Sequence, residues 1–413
     1  MADDKILEGM RIVEAAAFVA APLGGMTLAQ MGADVIRIDA IGGGLDYRRW
    51  PVTQDNVSLF WCGLNKYKRS VALDITSPEG RELAMALICA PGDDAGLLIT
   101  NFPPRGWLDY DKLRARRADL IQVTVQGDRH GGSAVDYTVN SRVGLPYVTG
   151  PQGSDEVTNH VLPAWDLVTG QMVATGLLAA ERHRRRKREG QHVKLALEDV
   201  ALAMMGHLGF IAEAQLGQTR ERHGNYLFGA FGRDFACADG ERVMVVALTG
   251  KQWRGLCMAT DLTADMSQLG ERLGLDLALE GNRFRARHEI AGAVGHWIGK
   301  RSLAQVATAF EDQGVCWGRY QSLAQLVRDD PGCSELNPLF TTIDQPGVGR
   351  YLASGSPLDF SAAGRIPARP APRLGEHTEQ VLTELLGLGA AEFGRLHDRG
   401  VVAGPSPAGG PAR

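Results

Sequence analysis

Asp166 is the residue of this sequence whose type and position most clearly indicate chemistry. It follows Pro163, and an apolar helical pattern begins directly after it at Leu167 and continues to a basic end at 182–188. An aspartate at the start of a helix commonly caps the exposed N–H groups of the first turn. The same position suits a nucleophile, because the positive end of the helix dipole keeps a carboxylate ionised. The local sequence leaves both roles open.

Two loops carry residues that could hold an anion near such a carboxylate. Three successive glycines, Gly42–Gly44, are followed by a pair of arginines that ends at Arg49. The second loop, Asn101–Trp107, is stiffened by two prolines and contains Arg105. Arginine presents a fork of N–H donors that matches carboxylates and phosphates. The glycines alone predict no more than a flexible loop, but with the arginines they predict an edge that faces anions.

The elements that would position these loops follow a β-α-β pattern. Residues 10–16 predict a short buried strand, residues 22–32 a helix with Pro at its start and Gly at its end, and residues 33–39 a second strand. Such a unit forms a parallel sheet, which binds ligands at the carboxyl ends of its strands. The loop 17–21 lacks the G-x-G-x-x-G of dinucleotide-binding proteins, which argues against an NAD-dependent enzyme. The predicted fold class is therefore α/β.

Composition and charge exclude several other classes of protein. The 413 residues suffice for about two domains, and 44% hydrophobic with 22% charged residues is typical of a globular protein in water. A net charge of −4 gives no reason to expect nucleic acid as a partner, and the basic run 183–188 complements the dipole at a helix end. No apolar run approaches the ~20 residues of a membrane span, and residues 1–5 do not predict a signal peptide.

The cysteines indicate the redox compartment. Six are scattered along the chain without a C-x-x-C pair. This usage is typical of the reducing cytoplasm, where thiols pack as small apolar groups. It supports neither a zinc site nor a disulfide, and the sequence therefore predicts no metal and a cytoplasmic location.

A shift in composition marks a second domain. Residues 224–234 are rich in glycine and aromatic residues, and a hairpin follows with its turn at Ala238–Glu241. Three helical patterns come next, so residues 224–330 are interpreted as a separate α+β domain. The Gly, Pro and Ala residues after Val402 predict a flexible tail at 403–413.

Six motifs in the same order resemble the class III CoA-transferase family, which includes formyl-CoA transferase and α-methylacyl-CoA racemase. No single motif is decisive, but together they cover nearly the whole chain. They are residues 9–13, 28–38, 65–70, 101–102, 190–193 and 374–378.

The resemblance implies an architecture and a substrate class. It implies a large Rossmann-like domain with a parallel sheet built from both ends of the chain, residues 1–218 and 331–402, with the smaller domain between them. It also implies two such chains interlocked as a homodimer. The implied substrate is an acyl-CoA, so that coenzyme A belongs to the substrate and no separate cofactor is needed.

The resemblance also assigns roles to individual residues. The family's catalytic aspartate lies just before the helix that leads to Gly190-Gln191, which favours Asp166 as nucleophile over a cap alone. The family often carries a basic residue just after the second strand, where this chain has Ala40. An arginine from another loop is therefore expected to hold the CoA phosphates. The implied CoA contacts are Val19, Ala20, Arg49, Leu73, Thr76, Asn101, Phe102, Arg105, Asp136 and Tyr137.

Four further stretches, 18–27, 42–51, 135–140 and 159–172, are similar to one branch of the family. That branch moves CoA from the C1 to the C4 carboxyl group of the same mesaconyl skeleton, in the 3-hydroxypropionate bicycle of carbon fixation. The racemase branch carries a histidine in the segment that reads Val135-Asp136-Tyr137 here, so proton exchange is not expected. Two alternatives stay open: a CoA-transferase acting between two different acids, and a non-catalytic protein that binds acyl-CoA.

Overall fold

The computed structural model describes residues 5–405, which fall into two compact units. Unit 1 comprises the chain up to Val143, Val161–Ala212 and the residues from Pro331 onwards. Unit 2 comprises Gly144–His160 and Glu213–Asp330. The sequence interpretation began the small domain at residue 224 and did not include 144–160 in it. Residues 406–413 of the predicted tail lie outside the described residues.

Strands and helices alternate along the first part of the chain. The strands are β1 (Arg11–Ala15), β2 (Asp34–Ala40), β3 (Arg69–Leu73), β4 (Leu97–Thr100), β5 (Ile121–Gln126), β6 (Gln191–Ala196), β7 (Phe231–Ala236), β8 (Arg242–Ala247), β9 (Cys316–Arg319), β10 (Phe340–Gln345), β11 (Gly349–Ser354) and β12 (Val402–Ala403). The helices are α1 (Ala20–Gln30), α2 (Leu59–Leu64), α3 (Pro78–Ile88), α4 (Tyr110–Arg116), α5 (Asp136–Arg142), α6 (Leu145–Val148), α7 (Ala164–Lys187), α8 (Leu197–His207), α9 (Phe210–Gln215), α10 (Gly250–Ala259), α11 (Thr263–Leu273), α12 (Glu280–Arg285), α13 (Arg287–Ile298), α14 (Leu303–Asp312), α15 (Leu323–Asp329), α16 (Thr378–Leu386) and α17 (Ala390–Asp398), with short 3-10 helices at Gly106–Leu108 and Pro331–Cys333.

Seven strands of unit 1 form one sheet in the order β12-β3-β2-β1-β4-β5-β6. All neighbouring pairs are parallel except β12 with β3, which are antiparallel. The strand order reverses between β1 and β4, and open α/β sheets bind ligands beside such a reversal. The mostly parallel sheet confirms the predicted α/β class. Ala403, assigned to the flexible tail from the sequence, instead lies in β12 because it pairs with Ala72.

Helices cover both faces of this sheet, so its central strands are buried on both faces. On one side, Ile12 of β1 packs with Leu28 of α1 and Val173 of α7. On the other side, the next residue of the strand, Val13, packs with Leu87 of α3. Alternate strand residues point to opposite faces, which explains why the central strands read as nearly continuous apolar runs.

Unit 2 combines a small antiparallel sheet with helices. Its strands pair in the order β7-β8-β9, and the turn at Asp239-Gly240 joins the first two, with φ of +83° at the glycine. The core includes the fully buried residues Phe231 and Phe310. Helix α11 was missed in the sequence interpretation, although Met266 and Leu269, both buried, have helical spacing.

The segment from residue 337 onwards is more regular than its sequence predicts. Strands β10 and β11 form an antiparallel hairpin within unit 1, with Phe340 opposite Ser354. Its few apolar residues alternate too weakly to indicate strands, and Ile343 is buried against Ala353 and Ala368.

Residues 5–405 contain neither a helix that could span a membrane nor a cluster of metal ligands. No helix in this range has both the length and the apolar character that crossing a bilayer requires. Within the same range, no three His, Cys, Asp or Glu side chains are grouped so that they could hold a metal ion.

Candidate active site

One side chain joins the loops that follow β1 and β4, where the strand order reverses. The N–H of Ala17 donates to Oδ1 of Asn101 at 3.0 Å, and Nδ2 of Asn101 donates to the carbonyl oxygen of Ala17 at 2.7 Å. Val19 and Ala20, two of the predicted CoA contacts, continue the first loop into α1. Val19 makes no side-chain cap to α1, so the N–H groups of its first turn are not used by that residue. The structure thus brings Asn101, Val19 and Ala20 to one edge of the sheet.

Phe18 has an unusual backbone conformation in the first of these loops. Its φ is +68°, a region that bulky residues seldom adopt. Its N–H donates to Oδ2 of Asp46 at 2.9 Å, and its side chain is 40% exposed. Strained residues of this kind concentrate at functional sites. The sequence interpretation did not select Phe18, because nothing local to a phenylalanine indicates a positive φ.

A buried charge network supports Asp46. Nε of Arg37 lies 2.7 Å from Oδ1 of Asp39, and its Nη2 lies 3.4 Å from Oδ1 of Asp46. Arg37 also contacts Glu14, which accepts a hydrogen bond from Nζ of Lys68 at 2.8 Å. Burial raises the pKa of Glu14 and lowers the pKa of Lys68 to about 8. Removing one member of such a network leaves a buried charge without its partner, so the network fixes the loop of Asp46 firmly.

Helices α1 and α7 approach each other closely at glycine residues. A Cβ atom on Gly170 would lie 2.9 Å from the carbonyl oxygen of Ala20, and one on Gly24 would lie 2.5 Å from Cγ1 of Val173. Neither position leaves room for a methyl group. Asp166 precedes Gly170 by about one helical turn. The helix packing therefore places Asp166 beside the loop that leads into α1.

Asp166 lies in the first turn of α7 and does not cap it. The helix begins at Ala164, and Pro163 at the cap position makes no side-chain hydrogen bond. Asp136 supplies the cap, since its Oδ2 accepts hydrogen bonds from the N–H groups of Trp165 at 2.7 Å and of Asp166 at 3.1 Å. The alternative in which Asp166 caps the helix is therefore wrong, because the helix starts two residues before it and another carboxylate takes the role.

Asp136 and Tyr137 open α5 and differ in how accessible they are. Asp136 is only 2% exposed, and the oxygen that caps α7 is turned away from solvent. This side chain therefore contacts α7, and its expected contact with CoA stays a prediction. Tyr137 is 40% exposed, and its hydroxyl donates to the carbonyl oxygen of Val161 at 3.1 Å. This bond ties the segment before α7 to α5.

Burial and neighbouring charges act together on the carboxyl group of Asp166. Loss of solvent raises its pKa from 3.8 to about 6, the charge of Asp136 adds to the rise, and the charge of Arg49 opposes it. Within residues 5–405, no group donates a hydrogen bond to this carboxylate. The group is ionised at neutral pH, and its raised pKa makes it a better nucleophile than an ordinary carboxylate.

Arg49 provides the cation near Asp166. Its guanidinium carbon lies 5.8 Å from the ring centre of Phe18 and 5.3 Å from that of Phe60. The side chain is exposed, and no carboxylate in the described part of the chain forms an ion pair with it. A guanidinium that is held by two rings and not neutralised is suited to an anionic ligand.

The remaining predicted CoA contacts lie at the carboxyl ends of β3 and β4. Leu73 is 0% exposed, so its side chain belongs to the core and only its backbone is available to a ligand. Thr76 and Arg105 are exposed, and Phe102 is half-buried against the core of the α3 face. In the part of the chain described, no hydrogen bond or ion pair links these four residues to the first turn of α7. These residues lie at or after the ends of the two strands, and their contact with CoA stays a prediction.

Comparison with known proteins identifies the family. Residues 7–378 match the model of CoA-transferase family III. The chain belongs to CoA-transferase family III. This finding confirms the family resemblance that six sequence motifs indicated.

Two relatives in family III differ in their reactions. The chain is 62% identical over 405 residues to 2-methylfumaryl-CoA isomerase of Chloroflexus aurantiacus, covering 98% of this chain and 99% of that protein. It is 29% identical over 402 residues to succinyl-CoA:mesaconate CoA-transferase of Haloarcula hispanica, covering 92% of this chain and 96% of that protein. The first enzyme is named as an isomerase and the second as a transferase between two acids.

A solved structure shares the fold. A CAIB/BAIF family protein from Brucella suis superposes with a TM-score of 0.75 at 24% identity, covering 92% of this chain and 100% of that chain. At this level of identity the likeness concerns the fold alone.

Proposed function

We propose that this family III protein moves CoA within one molecule, from the C1 to the C4 carboxyl group of 2-methylfumarate (mesaconate), and so converts 2-methylfumaryl-CoA into 3-methylfumaryl-CoA. The observation that carries the proposal is the 62% identity of this chain to 2-methylfumaryl-CoA isomerase. The carboxyl group of Asp166 supports it, because its pKa is raised and no group within residues 5–405 donates a hydrogen bond to it. The proposed setting is the 3-hydroxypropionate bicycle of carbon fixation.

The first half-reaction releases the acid. A carboxylate oxygen of Asp166 attacks the thioester carbonyl, the C–S bond breaks, and a mixed anhydride forms with release of CoA thiolate. The thiolate then attacks the aspartyl carbonyl of this anhydride. The aspartyl C–O bond breaks, which leaves an aspartyl-CoA thioester on Asp166 and free mesaconate in the site. Each step needs an ionised carboxylate that the substrate can reach, and the carboxyl group of Asp166, with a pKa of about 6, is ionised at neutral pH.

The second half-reaction uses the other end of the acid. The C4 carboxylate of mesaconate attacks the aspartyl-CoA thioester and forms a second anhydride with release of thiolate. The thiolate attacks the C4 carbonyl, which gives 3-methylfumaryl-CoA and returns Asp166 to the carboxylate. A mesaconate that stays bound between the two halves reacts as part of one complex, and this raises the rate over that of free acids.

Arg49 is the residue proposed to hold the free carboxylate of the substrate. Its charge is felt by Asp166, its guanidinium rests on Phe18 and Phe60, and the described residues leave it without an ion pair. A carboxylate ligand could therefore take a two-pronged hydrogen bond from it. The sequence interpretation assigned Arg49 to the CoA phosphates, and the nearby charge of Asp166 favours the reacting end instead.

The other predicted contacts are proposed to bind the CoA portion along the strand ends. The N-terminus of α1, which follows Val19 and begins at Ala20, offers N–H groups to an anion. The remaining residues would lie along the pantetheine and adenosine parts; they are the backbone of Leu73 and the side chains of Thr76, Asn101, Phe102, Arg105 and Tyr137.

A homodimer is proposed as the working form, with two chains interlocked. Large apolar side chains in the loop after β2 are exposed in the single chain, with Leu45 at 81% and Trp50 at 79%. Val161, before α7, is 97% exposed. Apolar surface of this kind close to a site commonly marks an interface, and a second copy of the chain would cover it.

An isotope experiment tests the proposed reaction. Purified protein is incubated with unlabelled 2-methylfumaryl-CoA in an excess of ¹³C-mesaconate. The CoA esters are then separated, and the ¹³C content of each is determined by mass spectrometry. Unlabelled 3-methylfumaryl-CoA is the expected product. Label in the product, or a rate that depends on added acid, would instead establish the transfer between two acids that is the named activity of the Haloarcula relative. Absence of any new ester would favour the non-catalytic alternative.

A further inference from the structure

We propose that Asp136 is a positioning residue for the reaction: it holds the first turn of α7 so that Asp166 is free to attack, and its negative charge favours acylation of Asp166. This inference rests on the proposed role of Asp166 as nucleophile. Asp136 itself does not touch the reacting atoms.

Helix α5 holds Trp165, the neighbour of Asp166, at two points. Oδ2 of Asp136 accepts the N–H of Trp165 at 2.7 Å, and Oδ1 of Asn140 accepts its indole Nε1–H at 3.1 Å. Asp136 and Asn140 are four residues apart on α5, so both lie on one face of that helix. Asp136, Asn140 and Trp165 are all buried. The rotation of the first turn of α7 is therefore fixed by α5.

The cap from Asp136 releases the side chain of Asp166 from the backbone. An aspartate near a helix start ordinarily bonds to nearby N–H groups, which holds its carboxylate against the helix. Here a single oxygen of Asp136 takes the N–H groups of both Trp165 and Asp166. The carboxylate of Asp166 is left without these donors and remains available to an electrophile.

The charge of Asp136 acts differently on Asp166 before and after acylation. Burial is the largest cause of the raised pKa of Asp166; among the charged groups of residues 5–405, Asp136 from α5 adds to the rise and Arg49 from the loop after β2 opposes it. When Asp166 forms its bond to the acyl carbon and the C–S bond breaks, the negative charge leaves with the thiolate. The repulsion from Asp136 ends with that step. Asp136 therefore disfavours the free carboxylate relative to the anhydride and the aspartyl-CoA thioester.

The variant Asp136→Asn separates charge from position. Oδ2 of Asp136 accepts both hydrogen bonds from α7, and the amide oxygen of asparagine can accept them in its place. The acidic limb of kcat/KM is expected near pH 6 in the wild type and at lower pH in this variant. At pH 7.5 kcat should fall about tenfold, with less aspartyl-CoA thioester trapped by hydroxylamine and KM little changed. Asp136→Ala, which also loses the cap, should reduce kcat further and lower the Tm.

Asp109→Asn is the matched control, because Asp109 caps α4 through the N–H of Lys112 at 3.1 Å in the same unit. It should leave the pH limb unchanged. A pH limb and trapped fraction in Asp136→Asn equal to those of the wild type would overturn the charge effect, and equal kcat in Asp136→Ala would overturn the positioning effect.

A titration that needs no turnover keeps the inference separate from the proposed activity. Carboxyl ¹³C shifts of labelled aspartates are followed with pH in the wild type and in Asp136→Asn, and the Asp166 signal is assigned by its loss in Asp166→Asn. The wild-type midpoint is expected near 6 and that of Asp136→Asn at lower pH; equal midpoints in the two proteins would overturn the charge effect, and an ordinary wild-type midpoint near 3.8 would overturn the inference even if Asp136→Asn does not fold. Lack of isomerase activity in the wild type would overturn the proposed function and would leave this titration unaffected.

Discussion

Oδ2 of Asp136 accepts a hydrogen bond from the backbone N–H of Asp166 at 3.1 Å, so two acidic residues share one helix terminus. Asp136 comes from α5 and is buried, whereas Asp166 belongs to the first turn of α7 itself. The two carboxylates therefore differ in their contacts: Asp136 caps α7, and Asp166 is the proposed nucleophile.

Replacement of Asp166 should abolish catalysis without unfolding the protein. Asp166→Asn removes the nucleophile while keeping the shape of the side chain, and kcat should fall by about four orders of magnitude or more. Hydroxylamine added during turnover should convert Asp166 of the wild type into its hydroxamate, and peptide mass spectrometry should detect this product. Modification of a different carboxylate would show that the nucleophile has been misassigned.

The same replacement should stabilise the protein at neutral pH. The folded-state pKa of Asp166, about 6, lies above its ordinary value of 3.8, so the folded protein binds this proton more tightly than the unfolded chain. Its contribution to stability is full below pH 3.8 and is lost as the pH rises through 6. At pH 7.5, Asp166→Asn should raise the free energy of unfolding by at most about 3 kcal/mol. Urea unfolding at several pH values measures this, and equal stability of the two proteins at pH 7.5 would contradict the raised pKa.

Loss of the Arg49 cation should weaken binding of the substrate's free carboxylate. Arg49→Gln should lower kcat/KM about 10- to 100-fold and move its acidic limb to higher pH, since Arg49 lowers the pKa of Asp166. Arg49→Lys should recover part of the activity, and the exposed Arg129→Gln serves as a control of equal charge change. Calorimetry with free CoA distinguishes binding of the substrate's carboxylate from binding of the CoA phosphates. If Arg49→Gln weakens the binding of free CoA as much as it lowers kcat/KM, Arg49 holds the phosphates.

The contact between α1 and α7 should not tolerate a methyl group. In Gly170→Ala the new Cβ would lie 2.9 Å from the backbone oxygen of Ala20, and the helices must separate. The free energy of unfolding should fall by about 1–3 kcal/mol, and kcat should fall because Asp166 moves with α7. Gly176→Ala in the same helix meets nothing closer than 3.7 Å and should keep activity and raise the Tm slightly. Similar behaviour of the two variants would show that the helices do not pack as described.

An interlocked dimer should not release a folded monomer on dilution. Sedimentation velocity at nanomolar concentrations should show one species near twice the chain mass of 44.5 kDa. Covering of Leu45, Trp50 and Val161 by the second chain should also protect them from photochemical surface labelling. A stable monomer with normal circular dichroism would contradict the interlocked arrangement.

The central sheet could be predicted from the sequence because its signals are local. The expected strands 10–16 and 33–39 correspond to β1 (Arg11–Ala15) and β2 (Asp34–Ala40). Proline and glycine mark the ends of the helix between them, and buried parallel strands need apolar residues on both faces. The sequence predicts the start of α7 at Leu167, whereas the helix begins at Ala164, directly after Pro163. The apolar period did not show this, because the residues of a first turn need not follow it.

The geometry around Asp166 depends on contacts that no local pattern contains. The capping bond from Asp136 to Trp165 joins residues 29 positions apart, and the bond between Ala17 and Asn101 joins residues 84 apart. The positive φ of Phe18 accompanies a hydrogen bond from its N–H to Asp46, which lies in the loop after β2. Gly170, spaced within an otherwise ordinary helix, was the one local sign that another backbone approaches α7 closely.

The edge pairing of β12 with β3 has a consequence for biosynthesis. Val402 pairs with Leu73, so the strand that closes this side of the sheet is translated after every other strand of the sheet. Until it leaves the ribosome, β3 exposes unpaired N–H and C=O groups, which are a template for pairing with another nascent chain. Chaperone dependence should therefore be greatest late in translation, and stop codons placed before Val402 should direct the product into inclusion bodies.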